Sequence, residues 1–102
     1  MALSEGGAGS GWRLVFRVHA LQRMFARRVS VSDVRRLVGA GETIEEYPDD
    51  TPYPSRLVLG WLGERPVHIV VADNAEAKEL IVITVYEPEG SRWDGGFKRR
   101  RR

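Results

Sequence analysis

The chain has 102 residues, 42% hydrophobic and 29% charged, with no cysteine and a formal net charge of +2. That length suits one domain with a small core, and the missing thiols exclude disulfides, thiolate metal sites and a cysteine nucleophile. No apolar run approaches the roughly 18 residues that cross a bilayer, and the N-terminus lacks the basic flank and apolar stretch of a secretory signal, so a cytoplasmic location is expected.

The charge is unevenly placed. Lys98 to Arg102 is an unbroken basic run, without which 11 basic residues face 14 acidic ones and the body carries about −3. A basic tail favours polyanions through counterion release. Residues 1–11, small and Gly-rich, are expected to be a flexible leader, residues 12–97 a single α+β domain and residues 98–102 the tail.

"WRLVFRV" is rich in β-formers and predicts a short first strand. From His19 the period becomes helical: Leu21, Met24, Phe25 and Arg28 share one side, expected to face the core, and His19, Arg23 and Arg27 share another. A second helix follows, with Ser30 as cap, Asp33 three residues on, and Gly39 and Gly41 expected to provide a left-handed exit. Thr43 to Tyr47 reads as an edge strand, its acids blunting the edge, before a loop stiffened by Pro48, Pro52 and Pro54.

"SRLVLGWL", "RPVHIVVAD" and "ELIVITVYEP" form an antiparallel meander. The expected fold is α+β, two N-terminal helices packed on one face of that meander. A three-residue turn at Gly63 to Arg65, with Leu62 opposite Pro66, sorts the strands cleanly. Leu57, Leu59, Trp61, Val67, Ile69, Val71, Ile81, Ile83 and Val85 then lie under the helices. Arg56, Val58, Gly60, His68, Val70, Val82, Thr84 and Tyr86 face solvent, with His68 opposite Gly60 and Thr84. A two-residue turn of Gly63 and Glu64 mixes His68 with Leu59 and is the less tidy alternative.

"HALQRMFARRVSVSDV", "GETIEEYPDDTPYPSRLVLGW", "PVHIVVA", "LIVITVYEP" and the ending "W…FKRR" resemble the bacterial DUF4258 family over about Val18 to Arg100. The family is similar in layout to RelE-like toxins, including the MqsR and BrnT types, whose open sheet face cleaves messenger RNA. The resemblance therefore implies a toxin-like endoribonuclease, with RNA as substrate and a cognate antitoxin as partner, of the zinc-finger MqsA sort. His19, Arg23, Arg56 and Tyr86 belong to the family's own pattern.

Metal-free RNA cleavage needs a base for the ribose 2′-hydroxyl, an acid for the leaving oxygen, and cations for the phosphate. Imidazole suits either proton role, so His68 and His19 are candidates, together with Tyr86. Arg56, Arg23 and Arg27 are candidates for phosphate, with Thr84 beside His68. A hydrogen-bonded structural histidine and a solvated arginine face are the plain alternatives, and a non-catalytic RNA- or protein-binding module is the alternative function. No metal-ligand spacing or phosphate-binding loop is present, so no cofactor is expected.

Overall fold

A computed structural model describes residues 11–101; residues 1–10 of the expected 1–11 leader, and Arg102, lie outside the described residues. The elements are β1 (Arg13–Phe16), α1 (Val18–Arg27), α2 (Val31–Ala40), β2 (Glu42–Tyr47), β3 (Ser55–Leu62), β4 (Arg65–Asn74) and β5 (Glu79–Tyr86). They build an α+β fold around a five-stranded sheet in the order β1-β5-β4-β3-β2. Strands β2 to β5 are the expected antiparallel meander. The short β1 adds a parallel pairing along the first half of β5, from Arg13 opposite Glu79 to Phe16 opposite Val82, which makes the sheet mixed.

The second helix starts as its sequence dictates. The Ser30 side chain accepts from the Asp33 amide at 2.9 Å and the Asp33 carboxylate accepts from the Ser30 amide at 2.9 Å, a complete capping box. Its exit differs from expectation: Gly41 is extended at φ −78, not left-handed. Glycine is needed there for space, because a Cβ would sit 2.7 Å from the Leu59 carbonyl oxygen. Helix α1 instead ends on a left-handed Arg28, whose amide returns to the last turn.

The core lies between helices and sheet. Ala20 and Met24 of α1, Val34 and Leu37 of α2, and Val58, Val67, Ile69, Val71, Val82 and Val85 of the strands are all buried in it. The expected core side of α1 is only partly right: Met24 is buried, but Leu21 is exposed and Phe25 is 89% exposed. Gly60 lets α2 approach the sheet, since a Cβ there would meet Leu37 Cδ2 at 2.7 Å.

The register corrects the sequence reading. Leu62 pairs with Arg65, so Gly63 and Glu64 make a two-residue turn, with Gly63 at φ 63 in its first position, where such hairpins require a positive angle. Directly opposed residues share a face. Leu57, Leu59 and Trp61 therefore lie away from the helices, and Val58 and Gly60 lie under them. His68 is opposite Leu59 and Tyr86, not Gly60 and Thr84. On β5 an irregularity between Val70 and Val71 of the partner strand leaves Ile83 unpaired, so that Val82 and Val85 both reach the helix side.

The physical reason is a second cover. Residues 87–101 fold back over the face opposite the helices: Trp93 is buried, bridges in antiparallel fashion to Arg100, and stands edge-on to His68 with ring centroids 4.5 Å apart. Both faces of the central strands are thus largely enclosed, and the partition into one greasy and one wet face does not hold. Among the described residues no helix is long and apolar enough to cross a membrane.

Candidate functional site

The centre of the covered face is His68, at 0% exposure. Its Nε2 lies 2.8 Å from the Phe97 carbonyl oxygen and its Nδ1 3.1 Å from the Tyr86 hydroxyl. A carbonyl only accepts, so Nε2 carries the hydrogen and donates. In the neutral ring Nδ1 is then an acceptor, and the Tyr86 hydroxyl donates to it. Burial is the main cause that holds the imidazole below its ordinary pKa of 6.5, outweighing the Phe97 carbonyl and the nearby Glu45; the neutral ring is favoured. Phe97 has φ 62, a rare angle for a bulky residue, and it turns this carbonyl toward the imidazole while its ring meets Trp61 edge-on at 6.1 Å.

Tyr86, half-buried, joins this enclosed ring to an open cleft. The cleft, of about 310 Å3, is lined by Arg27, Tyr86, Glu87, Glu89, Arg92, Trp93 and Arg100. Arg27 reaches it from the end of α1, while Arg92 and Arg100 come from the returning segment. Burial of Tyr86 raises its phenol pKa, so the hydroxyl stays protonated near neutrality. Three guanidinium groups against two carboxylates leave the lining with an excess of one positive charge, and the acids are engaged. Glu87 accepts from Arg65 at 2.9 Å and lies 3.7 Å from Arg27; Glu89 lies 3.5 Å from Arg92.

Arg100 is the most constrained of the three. Its guanidinium covers the Trp93 ring at 4.6 Å from the centroid and donates to Glu45 on β2 at 3.0 and 3.2 Å. The Arg100 bond is the largest influence holding the Glu45 carboxyl below its ordinary 4.5, and Tyr47, whose hydroxyl also donates to Glu45, adds to it. Lys98 meets Glu42 at 3.0 Å. Of the basic run, Lys98 and Arg100 thus meet acids of β2, and Arg101 donates to the Gly90 carbonyl.

The other candidates scatter. Arg56 points its Nε at Asp73, 3.3 Å away, and its Nη1 at Thr43, 3.2 Å away, on the helix side of the sheet, away from His68. His19 and Arg23 are exposed on α1, on the stripe that ends at Arg27, and neither lines the cleft. Thr84 is opposite Val70, two pairs along from Tyr86. The structure thus gathers His68, Tyr86 and Arg27 and leaves His19, Arg23 and Arg56 apart. The sequence reading missed Arg92 and Arg100, because no periodicity connects the Gly-rich ending to the sheet. The only signal was the pair Trp93 and Phe97, two large aromatic residues in an otherwise polar stretch.

Among the described residues no group of three or more His, Asp or Glu side chains is placed to hold a metal ion. What the arrangement offers is a hydroxyl backed by a neutral imidazole, beside cations that suit a phosphodiester.

No curated protein and no solved structure matches the chain. Residues 16–87 match the model of the family described as Domain of unknown function (DUF4258). The match runs from the end of β1 through Glu87 and takes in both helices, the whole meander, His68 and the Arg27 side of the cleft. The chain belongs to the DUF4258 family.

Proposed function

We propose that the protein is a metal-independent endoribonuclease of toxin type, acting in the cytoplasm and held in check by a cognate antitoxin protein. The observation that carries this reading is the Tyr86 hydroxyl, hydrogen-bonded to a neutral buried imidazole on one side and open on the other to the arginine cleft. A strand of RNA lies with one phosphate among Arg27, Arg92 and Arg100. Tyr86 takes the proton of the neighbouring 2′-hydroxyl as it passes its own to Nδ1 of His68, so that no free phenolate forms. The 2′-oxygen attacks phosphorus, the 5′-oxygen leaves and is protonated from solvent, and a 2′,3′-cyclic phosphate remains. His68 then returns its proton through Tyr86 to the solvent that protonated the leaving oxygen. Arginine side chains stabilise the charge that grows on the phosphoryl oxygens, and His68 acts through Tyr86 without touching substrate.

A non-cutting RNA-binding module is the second reading, favoured by the engagement of both His68 ring nitrogens and by the small positive excess of the cleft. The test is incubation of purified, partner-free protein with single-stranded RNA in EDTA. Cutting that leaves cyclic phosphate ends, absent with DNA of the same sequence and slowed about 10² to 10⁴-fold in Tyr86→Phe, is expected. Folded protein that binds the RNA and leaves it intact refutes the enzyme and leaves the binding module.

A further inference from the structure

A second recess lies where α2 ends beside the start of β2. It measures about 390 Å3 and is walled by Arg36, Leu37, Ala40, Glu42, Gly60 and Trp61, a size within the range of small-ligand sites, roughly 300 to 1,000 Å3. The lining is mainly apolar, with one guanidinium and one carboxylate at its rim. Trp61 is 44% exposed, and Phe97 braces it edge-on. The pairing of β2 with β3 ends at Glu42 opposite Leu59, so on that side the exposed backbone of Trp61 and the partly exposed backbone of Leu62 have no strand partner among the described residues.

We propose that this recess is a nucleobase site, which holds one base of the RNA strand stacked on Trp61. The inference rests on the reading of the protein as acting on RNA, and it names how the strand is held beyond the cut. A flat, polar-edged ring suits the place. Its face meets the indole, a sequence-tolerant contact that single-stranded nucleic acid sites use repeatedly. Its edge meets Arg36, which donates, Glu42, which accepts, and the unpaired β3 backbone, which does both.

Charge and continuity favour a nucleotide over an uncharged aromatic ligand. Lys98, paired with Glu42 at the rim, supplies a cation for the phosphate attached to the base. The same returning segment continues from Phe97 and Lys98 to Arg100, which lines the Tyr86 cleft, so cations mark a path from one recess to the other. His68 sits between them, bonded to Phe97 on one side and Tyr86 on the other. The base in the Trp61 recess thus belongs to the strand that carries the scissile nucleotide, and it is where a sequence preference would be read.

The experiment is a titration of ¹⁵N-labelled full chain with adenosine, guanosine, cytidine and uridine, which carry no phosphate. The Trp61 indole N–H and the amides of Glu42 and Gly60 are expected to shift with at least one nucleoside, with the Trp93 indole unmoved. Trp61→Ala is expected to abolish the amide shifts and to weaken single-stranded RNA binding about tenfold, and Trp61→Phe to restore most of both. Nucleosides that leave the Trp61 indole unmoved overturn the base site, as does a Trp61→Ala chain that binds RNA as tightly as the parent. The two proposals fail separately: RNA cut by a protein whose Trp61 ignores nucleosides keeps the ribonuclease and removes the recess, whereas nucleoside binding with intact RNA does the reverse.

Discussion

Replacing His68 by alanine tests whether the returning segment is held by the imidazole. The substitution removes the donor to the Phe97 carbonyl, and an unsatisfied buried polar group costs about 1 to 3 kcal/mol. It also removes edge-on contacts with Trp93 and Tyr86, worth about 0.5 to 1.5 kcal/mol each. The Tyr86 hydroxyl, half-buried beside the cleft, turns to water at little cost. The loss is therefore about 2 to 6 kcal/mol, against the 5 to 15 kcal/mol typical of a whole domain, and at 3 kcal/mol the melting temperature falls by about 12 to 24 °C. Urea unfolding followed by tryptophan fluorescence at pH 7.5 measures it, and a loss under about 1 kcal/mol refutes the account.

A pH series on the same protein supplies an independent arm. The His68 pKa is lower in the folded chain than its ordinary 6.5, so between the two values the unfolded chain binds more protons. The stability this group contributes is complete above about pH 6.5 and is lost as pH falls through the folded value, with a slope of at most about 1.4 kcal/mol per pH unit. Asp33, its pKa lowered mainly by the Ser30 amide, and Glu45, lowered mainly by Arg100, act below their ordinary 3.8 and 4.5, outside that window. His68→Gln keeps a donor for the Phe97 carbonyl and does not titrate; its stability should vary less than the parent's from pH 6.5 to 5. Parallel curves would show that His68 is not the group responsible.

Ser30→Ala should cost about 1 kcal/mol by opening the capping box, read as a lower urea midpoint with an unchanged far-ultraviolet spectrum; an unchanged midpoint refutes the cap's role. Arg100→Ala removes an exposed ion pair worth less than about 1 kcal/mol and the stacking on Trp93. Amide exchange should accelerate from Arg92 to Arg101 and stay unchanged in β4; equal rates throughout would mean that the segment is held by its aromatic residues alone.

Much of the frame is legible in the sequence because local chemistry fixes it. Ser30 and Asp33 announce the start of α2, and Glu42–Tyr47 is an edge strand, as its acids suggest. The three meander strands begin where their apolar runs begin. The side each residue faces is another matter. "LVLGWL" and "VHIVVA" are apolar at successive positions, which is how strands covered on both faces read, and sorting them into one wet and one dry side displaced β3 by one residue. Leu59 opposite His68 is the result that the tidier register excluded. The candidate site was half legible: His68, Tyr86 and Arg27 carry recognisable chemistry, but Arg92 and Arg100 reach it only because the C-terminal segment folds back onto His68 and Glu45, residues distant in the chain. Phe25, on the apolar side of an amphipathic helix, is nonetheless solvent-facing, because spacing tells which residues lie together and not whether anything covers them.

The residues that enclose His68 from above, Trp93 and Phe97, follow the stretch that matches the family. A fragment cut back to residues 16–87 would keep both helices and the meander, yet it would leave the His68 imidazole and the sheet around it without the cover of Trp93 and Phe97. Such a fragment is a sticky slab, prone to self-association through that bare side, and its histidine would lose part of the burial that lowers its pKa.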